Sequence, residues 1–278
     1  MRREMHARRK ERIRVLILLI VGVLTGVTTV LFGFGGGFVT VPAVYLVVGA
    51  SGGMDPMHCA VATSAAVMIV NAAMATVASA RRGLLSGGYL WPITAYIAPG
   101  AALGAWAATR APEGLLRVLF VVYISLTIID GLVRSGFVSR PTADHPPRRL
   151  SAVESAWSGV IIGGIASFLG VGGSVLTVPL LRRRGITMER ATALANPLSL
   201  AVAIPATAVY AISGGHGAGQ VGQINLMAAA TLLAGSLPAV ALTRRVLSAK
   251  KIPDRVHSIM YLLMLGVVVT VMLVRMTG

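Results

Sequence analysis

Long stretches of this sequence contain no charged side chain. Only 12% of the 278 residues are charged, whereas a soluble domain carries about a quarter. A bilayer core of about 30 Å needs roughly 20 apolar residues in a helix. The uncharged stretches are Val15–Met54, Cys59–Ala80, Leu84–Thr109, Val118–Ile129, Ser155–Leu181, Ala191–Thr243 and Val256–Val274, and most of them reach that length. The sequence therefore predicts an all-α polytopic membrane protein with about eight hydrophobic segments.

Basic residues flank the apolar stretches, as is usual in membrane proteins. The net charge is +16, and Arg81, Arg82, Arg244 and Arg245 directly adjoin apolar stretches, where arginine anchors helix ends at the membrane surface. Nucleic acid is therefore not an expected partner. Residues 1–14 are predicted to form a basic cytoplasmic N-terminus. The long apolar run after them is predicted to be a first membrane segment rather than a signal peptide. The expected location is the cell inner (plasma) membrane, with multiple passes.

An internal repeat is the strongest pattern in the chain. Residues Phe32–Pro42 read FGFGGGFVTVP and residues Leu169–Pro179 read LGVGGSVLTVP, so that Gly35 aligns with Gly172. The same alignment, extended without a gap, pairs two earlier glycines with later ones, Gly22 with Gly159 and Gly26 with Gly163. An order of Gly, Gly, Gly or Ser, Thr, Val and Pro that recurs in one register is far more specific than a lone Gly-rich stretch.

The repeat defines the domain organisation that we predict. Between the two strings lies a segment with three prolines and four arginines, which is typical of a solvated linker. We assign residues 15–133 to a first membrane repeat, 134–152 to a basic linker and 153–278 to a second, homologous membrane repeat. Looser similarity between the halves continues after the strings, for example between Ala60–Ser64 and Ala193–Pro197.

Each repeated string predicts a break in a membrane helix. Glycine destabilises a helix interior by about 1 kcal/mol relative to alanine, so Gly35–Gly37 should end one helix before a half-helix begins. Thr40 and Thr177 are predicted to cap these half-helices, and Pro42 and Pro179 to lie in their first turns. The free N–H groups and positive dipole at such a start attract anions. Paired breaks indicate a transporter's binding site near the midplane, although glycines that serve only close helix packing are the alternative.

Polar side chains on the helices after the breaks complete the predicted site. Asn is uncommon deep in a membrane helix, so Asn71 and Asn196 are candidates to line the substrate path, with interhelical hydrogen bonds as the alternative. Thr63, Ser64 and Ser199 lie on the same two segments. The predicted substrate-binding residues are Gly35, Gly36, Gly37, Thr40, Pro42, Thr63, Ser64, Asn71, Gly172, Gly173, Ser174, Thr177, Pro179, Asn196 and Ser199. No cofactor and no metal site is predicted.

Ionisable residues near the apolar stretches are few. Asp130, His58, His216 and His257 could carry a proton in coupled transport. Each lies near a helix end or in a Gly-rich loop, where an interfacial role is more common. The sequence has no GxSxG, HExxH or Walker string, and its carboxylates are sparse. The chain is therefore not expected to be an enzyme or an ATP-driven pump.

At the two glycine strings the chain resembles the TauE/SafE family of sulfite and organosulfonate exporters, also called the sulfonate uptake permease family. The resemblance rests on the paired GxGGG/S and TVP strings, on Ala60–Ser64 and on Pro99–Gly104. It implies export or uptake of sulfite, an organosulfonate or a related sulfur-containing or carboxylate anion, coupled to an ion gradient. The second half departs from the first at Asn196 and at Ala239, which stand where the first half has Thr63 and Gly104.

The sequence thus predicts a secondary anion transporter in which two glycine breaks face each other and the bundle rocks to give alternating access. The expected partners are a small anionic substrate, a coupling proton or sodium ion, and the lipid bilayer; an oligomer is left open. A passive anion channel is one alternative. A membrane subunit or assembly factor that transports nothing itself is another.

The orientation of the helices has two solutions. With residues 1–14 inside, eight simple crossings place Arg81 inside but Arg244 outside, and the second placement contradicts the positive-inside rule. In one solution, Ser155–Leu181 is re-entrant and reverses the remainder of the chain. In the other, the halves are inverted repeats with an odd number of crossings each.

Overall fold

Apart from one short pair of strands, the regular structure of the described chain is helical. The computed structural model describes residues 2–33, 35–49, 55–85, 91, 93–133, 151–182, 186–214, 219–249 and 253–277. His216 and most of the predicted linker lie outside these residues. The described residues form ten helices: α1 Arg2–Phe32, α2 Gly37–Gly49, α3 Pro56–Arg81, α4 Ile93–Ala108, α5 Glu113–Val133, α6 Ala152–Leu169, α7 Ser174–Arg182, α8 Met188–Ile212, α9 Leu226–Ala249 and α10 Asp254–Thr277. Strands β1 Gln220–Val221 and β2 Ile224–Asn225 pair antiparallel between α8 and α9.

Six of the described helices are long and apolar enough to cross a membrane: α1, α3, α5, α8, α9 and α10. Helices α2, α4 and α6 are shorter but also apolar. Large apolar side chains cover the outer surface; Leu103, Leu132 and Leu263 are 63%, 66% and 65% exposed. An apolar outer surface of this extent is suited to lipid rather than to water. The prediction of an all-α, polytopic membrane protein is confirmed.

Helices α1 and α2 form a hairpin whose tip is the first glycine string. Thr25 Oγ1 of α1 and Thr40 Oγ1 of α2 lie 3.5 Å apart. Further from the tip, a cavity of about 600 Å³ is lined by Leu19 of α1 together with Val47 and Val48 of α2. Helix α2 therefore runs back along α1 and returns towards the side of the bundle from which α1 started.

Contacts between helix ends define two sides of the bundle. On the first side, His58 at the start of α3 donates from Nε2 to a carbonyl at the end of α4, at 3.1 Å. On the same side, the backbone N–H of Asn225, just before α9, donates to Thr63 at 3.0 Å. On the second side, Arg82 after α3 pairs with Glu189 at the start of α8, at 2.9 Å. Helices α3 and α8 therefore cross the bundle in opposite directions.

Glycines let helices from different halves pack against each other in parallel. A Cβ on Gly22 of α1 would lie 2.3 Å from the carbonyl oxygen of Leu232 in α9, and one on Gly26 would lie 2.5 Å from that of Ser236. The same arrangement joins α4 to α6, since a Cβ on Gly104 would lie 2.1 Å from a carbonyl oxygen of α6. Only glycine permits such close approaches. Each of these pairs combines one helix from each half of the chain.

The directions of the helices reverse between the halves. Helix α9 starts on the first side and α1 runs parallel to it, so α1 also starts there. Helix α4 ends on the first side, so its parallel partner α6 starts on the second side. The count of eight simple crossings was wrong, because α2 turns back. Arg81 lies on the side opposite to the start of α1 and close enough to Arg244 for their charges to interact. Helices α6 and α8 both start on the second side, so α6 and α7 form a second hairpin that turns back. The geometry thus combines the re-entrant segment of one solution with the opposite directions of the other.

Candidate functional site

The two glycine strings meet in the middle of the bundle. A Cβ on Gly37, the first residue of α2, would lie 2.7 Å from the carbonyl oxygen of Gly170 and 3.0 Å from the backbone nitrogen of Gly172. Ser64 of α3 bridges both strings, because its hydroxyl donates to Gly170 O at 2.8 Å and lies 3.3 Å from Gly37 O. The start of α2 is therefore placed beside the glycines that lead into α7.

The first string leaves α1 through backbone conformations that favour glycine. Gly35 and Gly36 have positive φ angles of 61° and 93°, which glycine adopts without steric strain. Gly35 lies against the side chain of Met68, at the middle of α3. The carbonyl oxygen of Gly36 accepts a hydrogen bond from the Thr40 hydroxyl at 2.9 Å. The break is therefore satisfied by protein groups at the level of the centre of the neighbouring helix.

Thr40 and Thr177 are not the helix caps that the sequence predicted. Each half-helix begins three residues before its threonine, so both threonines lie inside the first turn. Their backbone N–H groups donate to the carbonyls four residues earlier, at 3.1 and 2.9 Å. Pro42 and Pro179 lie inside their helices, in the second turn rather than the first. The prediction was wrong because the last glycine of the first string and Ser174 of the second already adopt helical conformation.

The second string is followed by polar atoms that lack partners. Gly170 ends α6 with a φ of 67°, and the buried Gly172 and Gly173 lead into α7. The hydroxyls of Ser174 and Thr177 are fully buried and have no hydrogen-bond partner among the described residues. A buried hydroxyl without a partner is destabilising by about 1–3 kcal/mol. These two hydroxyls lie beside the start of α7, where they can donate to a partner from outside the chain.

Side chains of α3 and α8 add polar groups from both halves. Ser199 donates to the carbonyl of Gly33, at 3.4 Å. Asn196 donates from Nδ2 to its own helix, and its Oδ1 has no partner. Asn71 accepts a hydrogen bond from Ser236 at 2.8 Å, and its Nδ2 has no partner. Both asparagines are almost completely buried, so each holds a polar atom that the described protein does not satisfy.

Other candidates lie at the ends of the bundle. The Thr63 hydroxyl accepts a hydrogen bond from the backbone of Asn225 on the first side. His58 contacts the end of α4 on that side, whereas His257 donates to a carbonyl near the end of α1. Asp130 is half-buried near the end of α5. The described contacts of Thr63 and His58 stabilise helix ends, whereas the His257 ring packs on Phe32, the first residue of the first string, with ring centroids 5.6 Å apart.

Three polar residues around the first string were not predicted. A Cβ on Gly36 would lie 2.2 Å from Thr25 Cγ2, 3.2 Å from Asn71 Nδ2 and 3.5 Å from Thr29 Oγ1. Ser236 of α9 bonds to Asn71, and Thr25, Thr29 and Ser236 are fully buried. One sequence signal was available: Thr25 and Thr29 are four residues apart, so they share a face of α1 just before the break.

The two strings have different surroundings. A Cβ on Gly173 would lie 3.3 Å from Val202 and 3.6 Å from Ile162, both of them aliphatic side chains. In the register that aligns Gly35 with Gly172, Ile162 is the counterpart of Thr25. Hydroxyl groups surround the first string where aliphatic groups surround the second. The two halves therefore offer different chemistry at the centre of the bundle.

Two cavities lined by described residues lie away from the strings. One, on the first side between α1, α2 and α9, has Glu11 and Arg12 among its lining residues. The other, of about 610 Å³, is an apolar groove between α5 and α10. The described residues contain no group of three or more His, Cys, Asp or Glu that could hold a metal ion. At the strings themselves, the described residues are closely packed.

Comparison with known proteins identifies the family. The profile of the family described as "Sulfite exporter TauE/SafE" matches residues 18–273. A "Probable membrane transporter protein" of Haemophilus influenzae is 28% identical over 64% of this chain and 66% of its own length. Another "Probable membrane transporter protein", from Xylella fastidiosa, is 32% identical over 58% of this chain and 59% of its own length. The chain thus spans slightly less than two thirds of each of these relatives.

No solved structure matches this chain. The relatives are named as transporters and not as enzymes, which agrees with the sequence prediction. The family profile extends from α1 to α10 and includes both glycine strings, so this protein belongs to the TauE/SafE family.

Proposed function

We propose that this protein is a secondary transporter of the inner membrane that carries a small anion, namely sulfite, an organosulfonate or a related sulfur-containing or carboxylate anion. The observation that carries the proposal is the contact between Gly37 and Gly172. It brings the start of α2 next to the glycines before α7, so two helix starts direct their N–H groups and positive dipole ends to one place. Half-helices hold anionic substrate groups in this way in other transporters.

Side chains with unpartnered atoms provide the remaining contacts of the anion site. The hydroxyls of Ser174 and Thr177 can each donate one hydrogen bond to an anion oxygen, and hydrogen bonds to charged groups are the stronger kind. The Oδ1 atom of Asn196 suits a substrate that also carries an O–H or N–H group. No residue of the predicted site carries a charge. Binding therefore rests on hydrogen bonds and dipoles, which allow release as well as capture.

The pairing of the helices supports alternating access. Helix α1 packs against α9, and α4 packs against α6, through glycine contacts. Each pair contains one helix of each half, and the two hairpin tips enter the bundle from opposite sides. Rocking of one pair against the other would expose the tips first to one side and then to the other. The close packing of the strings corresponds to the closed intermediate of such a cycle.

Two alternatives fit the structure less well. A passive channel needs a continuous path, whereas Gly37 packs closely against Gly170 where the strings meet. The buried, unpartnered hydroxyls of Ser174 and Thr177 lie beside the meeting point of the two strings, which favours a substrate site over a subunit that transports nothing itself. Curated relatives named as membrane transporters also favour a carrier.

Reconstitution into proteoliposomes tests the proposal. The purified protein should accumulate labelled sulfite, sulfoacetate, taurine or a simple carboxylate when a proton or sodium gradient is imposed. Gly173→Val should reduce uptake at least about 10-fold, because it fills the break at a residue without positive φ. Gly266→Val is the matched control, since its Cβ would meet nothing within 4 Å. Full uptake by Gly173→Val, or no uptake of any of these anions by the wild type, would refute the proposal.

A further inference from the structure

Five buried polar residues surround the tip of the α1–α2 hairpin, and we call them the oxygen cluster. They are Thr25 and Thr29 of α1, Thr40 of α2, Asn71 of α3 and Ser236 of α9, and all are fully buried. Thr25, Thr29 and Asn71 lie around Gly36, and the Thr40 hydroxyl bonds to the carbonyl of Gly36. The cluster therefore encloses one turn of irregular backbone.

Two hydroxyl hydrogens of the oxygen cluster, those of Thr29 and Thr40, are directed at carbonyls. Thr29 donates to the carbonyl of Thr25 at 2.7 Å, and Thr40 donates to the carbonyl of Gly36 at 2.9 Å. Each hydroxyl has one hydrogen but two lone pairs. Because the hydrogens are used in this way, the threonines present lone pairs to the space that they enclose. Lone pairs attract a cation and repel an anion.

The distance between Thr25 Oγ1 and Thr40 Oγ1 also suits a cation. It is 3.5 Å, whereas a hydroxyl–hydroxyl hydrogen bond is about 2.7–2.8 Å. Neighbouring oxygens around a cation held at about 2.4 Å, as in oxygen-ligated calcium sites, lie about 3.4 Å apart. A sodium ion has nearly the same size as calcium, so these two oxygens are spaced like two of its ligands.

Asn71 holds an unsatisfied polar atom that faces the oxygen cluster. The Asn71 side chain is fully buried. Its amide nitrogen, Nδ2, lies 3.2 Å from where a Cβ on Gly36 would be and has no hydrogen-bond partner among the described residues. An amide flip, which exchanges the positions of its oxygen and nitrogen, directs the oxygen at Gly36 instead. The Ser236 hydroxyl can then accept from the amide nitrogen, since it can donate to the carbonyl of Leu233. The amide oxygen thereby becomes a further ligand.

We propose that the oxygen cluster binds one sodium ion. Calcium and magnesium sites rely on carboxylates, and the cluster contains none. A proton would need a titratable group, and neutral hydroxyls and amides are not titratable at physiological pH. Thr25 and Thr29 lie in the last two turns of α1, where the negative end of that helix dipole favours cations. In transporters, such helix ends and unwound carbonyls coordinate sodium.

The sodium site belongs to the first half only. In the register of the repeat, the counterparts of Thr25 and Thr29 in the second half are Ile162 and Ala166. These side chains offer no oxygen, so each chain binds a single sodium ion in this way. The site is separated from the anion site only by the glycines at the start of α2. Sodium binding can therefore couple to anion binding, and this coupling rests on the proposed function.

Sodium binding by the purified protein tests the inference without any anion. The thermal unfolding midpoint should rise with sodium concentration in a saturable way, with choline maintaining the ionic strength, and labelled sodium should bind. Thr25→Val and Thr40→Val should each weaken sodium binding at least about 10-fold. Thr127→Val is the matched control, because Thr127 makes the same bond to its own helix, at 2.9 Å, as Thr40 does. Thr25→Val retains that bond of Thr40 and provides the test if Thr40→Val does not fold.

The outcomes separate this inference from the proposed function. Absence of sodium binding in the wild type, or wild-type sodium affinity in Thr25→Val, would overturn the sodium site. Anion uptake that runs at full rate in sodium-free buffer would overturn the coupling while leaving the transporter proposal intact. Saturable sodium binding that is lost in Thr25→Val would support the site even if no anion were transported, and only the proposed function would then fail.

Discussion

Replacing Thr177 by Val should stabilise the protein and weaken anion binding at the same time. The Thr177 hydroxyl is fully buried and has no partner among the described residues. Valine has nearly the same volume, so the change removes an unsatisfied group that is destabilising by about 1–3 kcal/mol. If the hydroxyl donates to a bound anion, its loss removes about 1.5–3 kcal/mol of binding free energy. At about 1.4 kcal/mol per tenfold change, the dissociation constant should rise about 10- to 150-fold.

Calorimetric titration of the purified variant with sulfite or an organosulfonate measures the affinity, and thermal unfolding without anion measures the stability. Thr207→Val is the control. Thr207 also has a buried hydroxyl atom without a partner, but it lies two turns beyond Ser199 in α8. It should show the gain in stability and an unchanged affinity. A Thr177→Val variant that is more stable yet binds the anion as tightly as the wild type would show that the hydroxyl does not contact the substrate.

Two further predictions concern packing and orientation. Gly104→Ala should lower the unfolding temperature by several degrees, because the new Cβ would lie 2.1 Å from a backbone oxygen of α6. Gly266→Ala is the control and should have little effect, because its Cβ would meet nothing within 4 Å. Equal unfolding temperatures of the two variants would contradict the packing of α4 on α6. In a Cys59→Ser background, Arg82→Cys and Arg110→Cys are made as two separate variants. A membrane-impermeant thiol reagent should label them from opposite sides of the membrane. Labelling of both from the same side would contradict the assigned directions of the helices.

Much of the fold could be predicted because the hydrocarbon environment restricts the chain. Segments of about 20 apolar residues must form helices, since lipid offers no partner for backbone N–H and C=O groups. The glycine strings could be located because clustered glycines destabilise a helix. The same reasoning failed for Thr40 and Pro42. Caps and first turns depend on whether a glycine enters the helix, and glycine can adopt either conformation.

The surroundings of the predicted site could be predicted only in part. Asn71, Ser64 and Ser199 were identified because polar residues are rare in apolar segments, and all three contact or approach the glycine strings. Thr25 and Ser236 were missed, because a hydroxyl in a membrane helix can bond to its own backbone and needs no other role. The hairpin of α1 and α2 places Thr25 beside Gly36, and the packing of α9 on α1 brings Ser236 to Asn71.

Local chemistry in the sequence determined that the chain lies in a membrane as helices and that two of those helices are interrupted at related strings. Hydropathy and the conformational range of glycine act within a few residues, so a sequence contains them directly. Tertiary structure alone decided that α2 turns back, that the halves run in opposite directions and that Ser64 meets Gly170 across 106 residues of chain. Such contacts arise from the mutual fit of distant surfaces, and no local pattern encodes that fit.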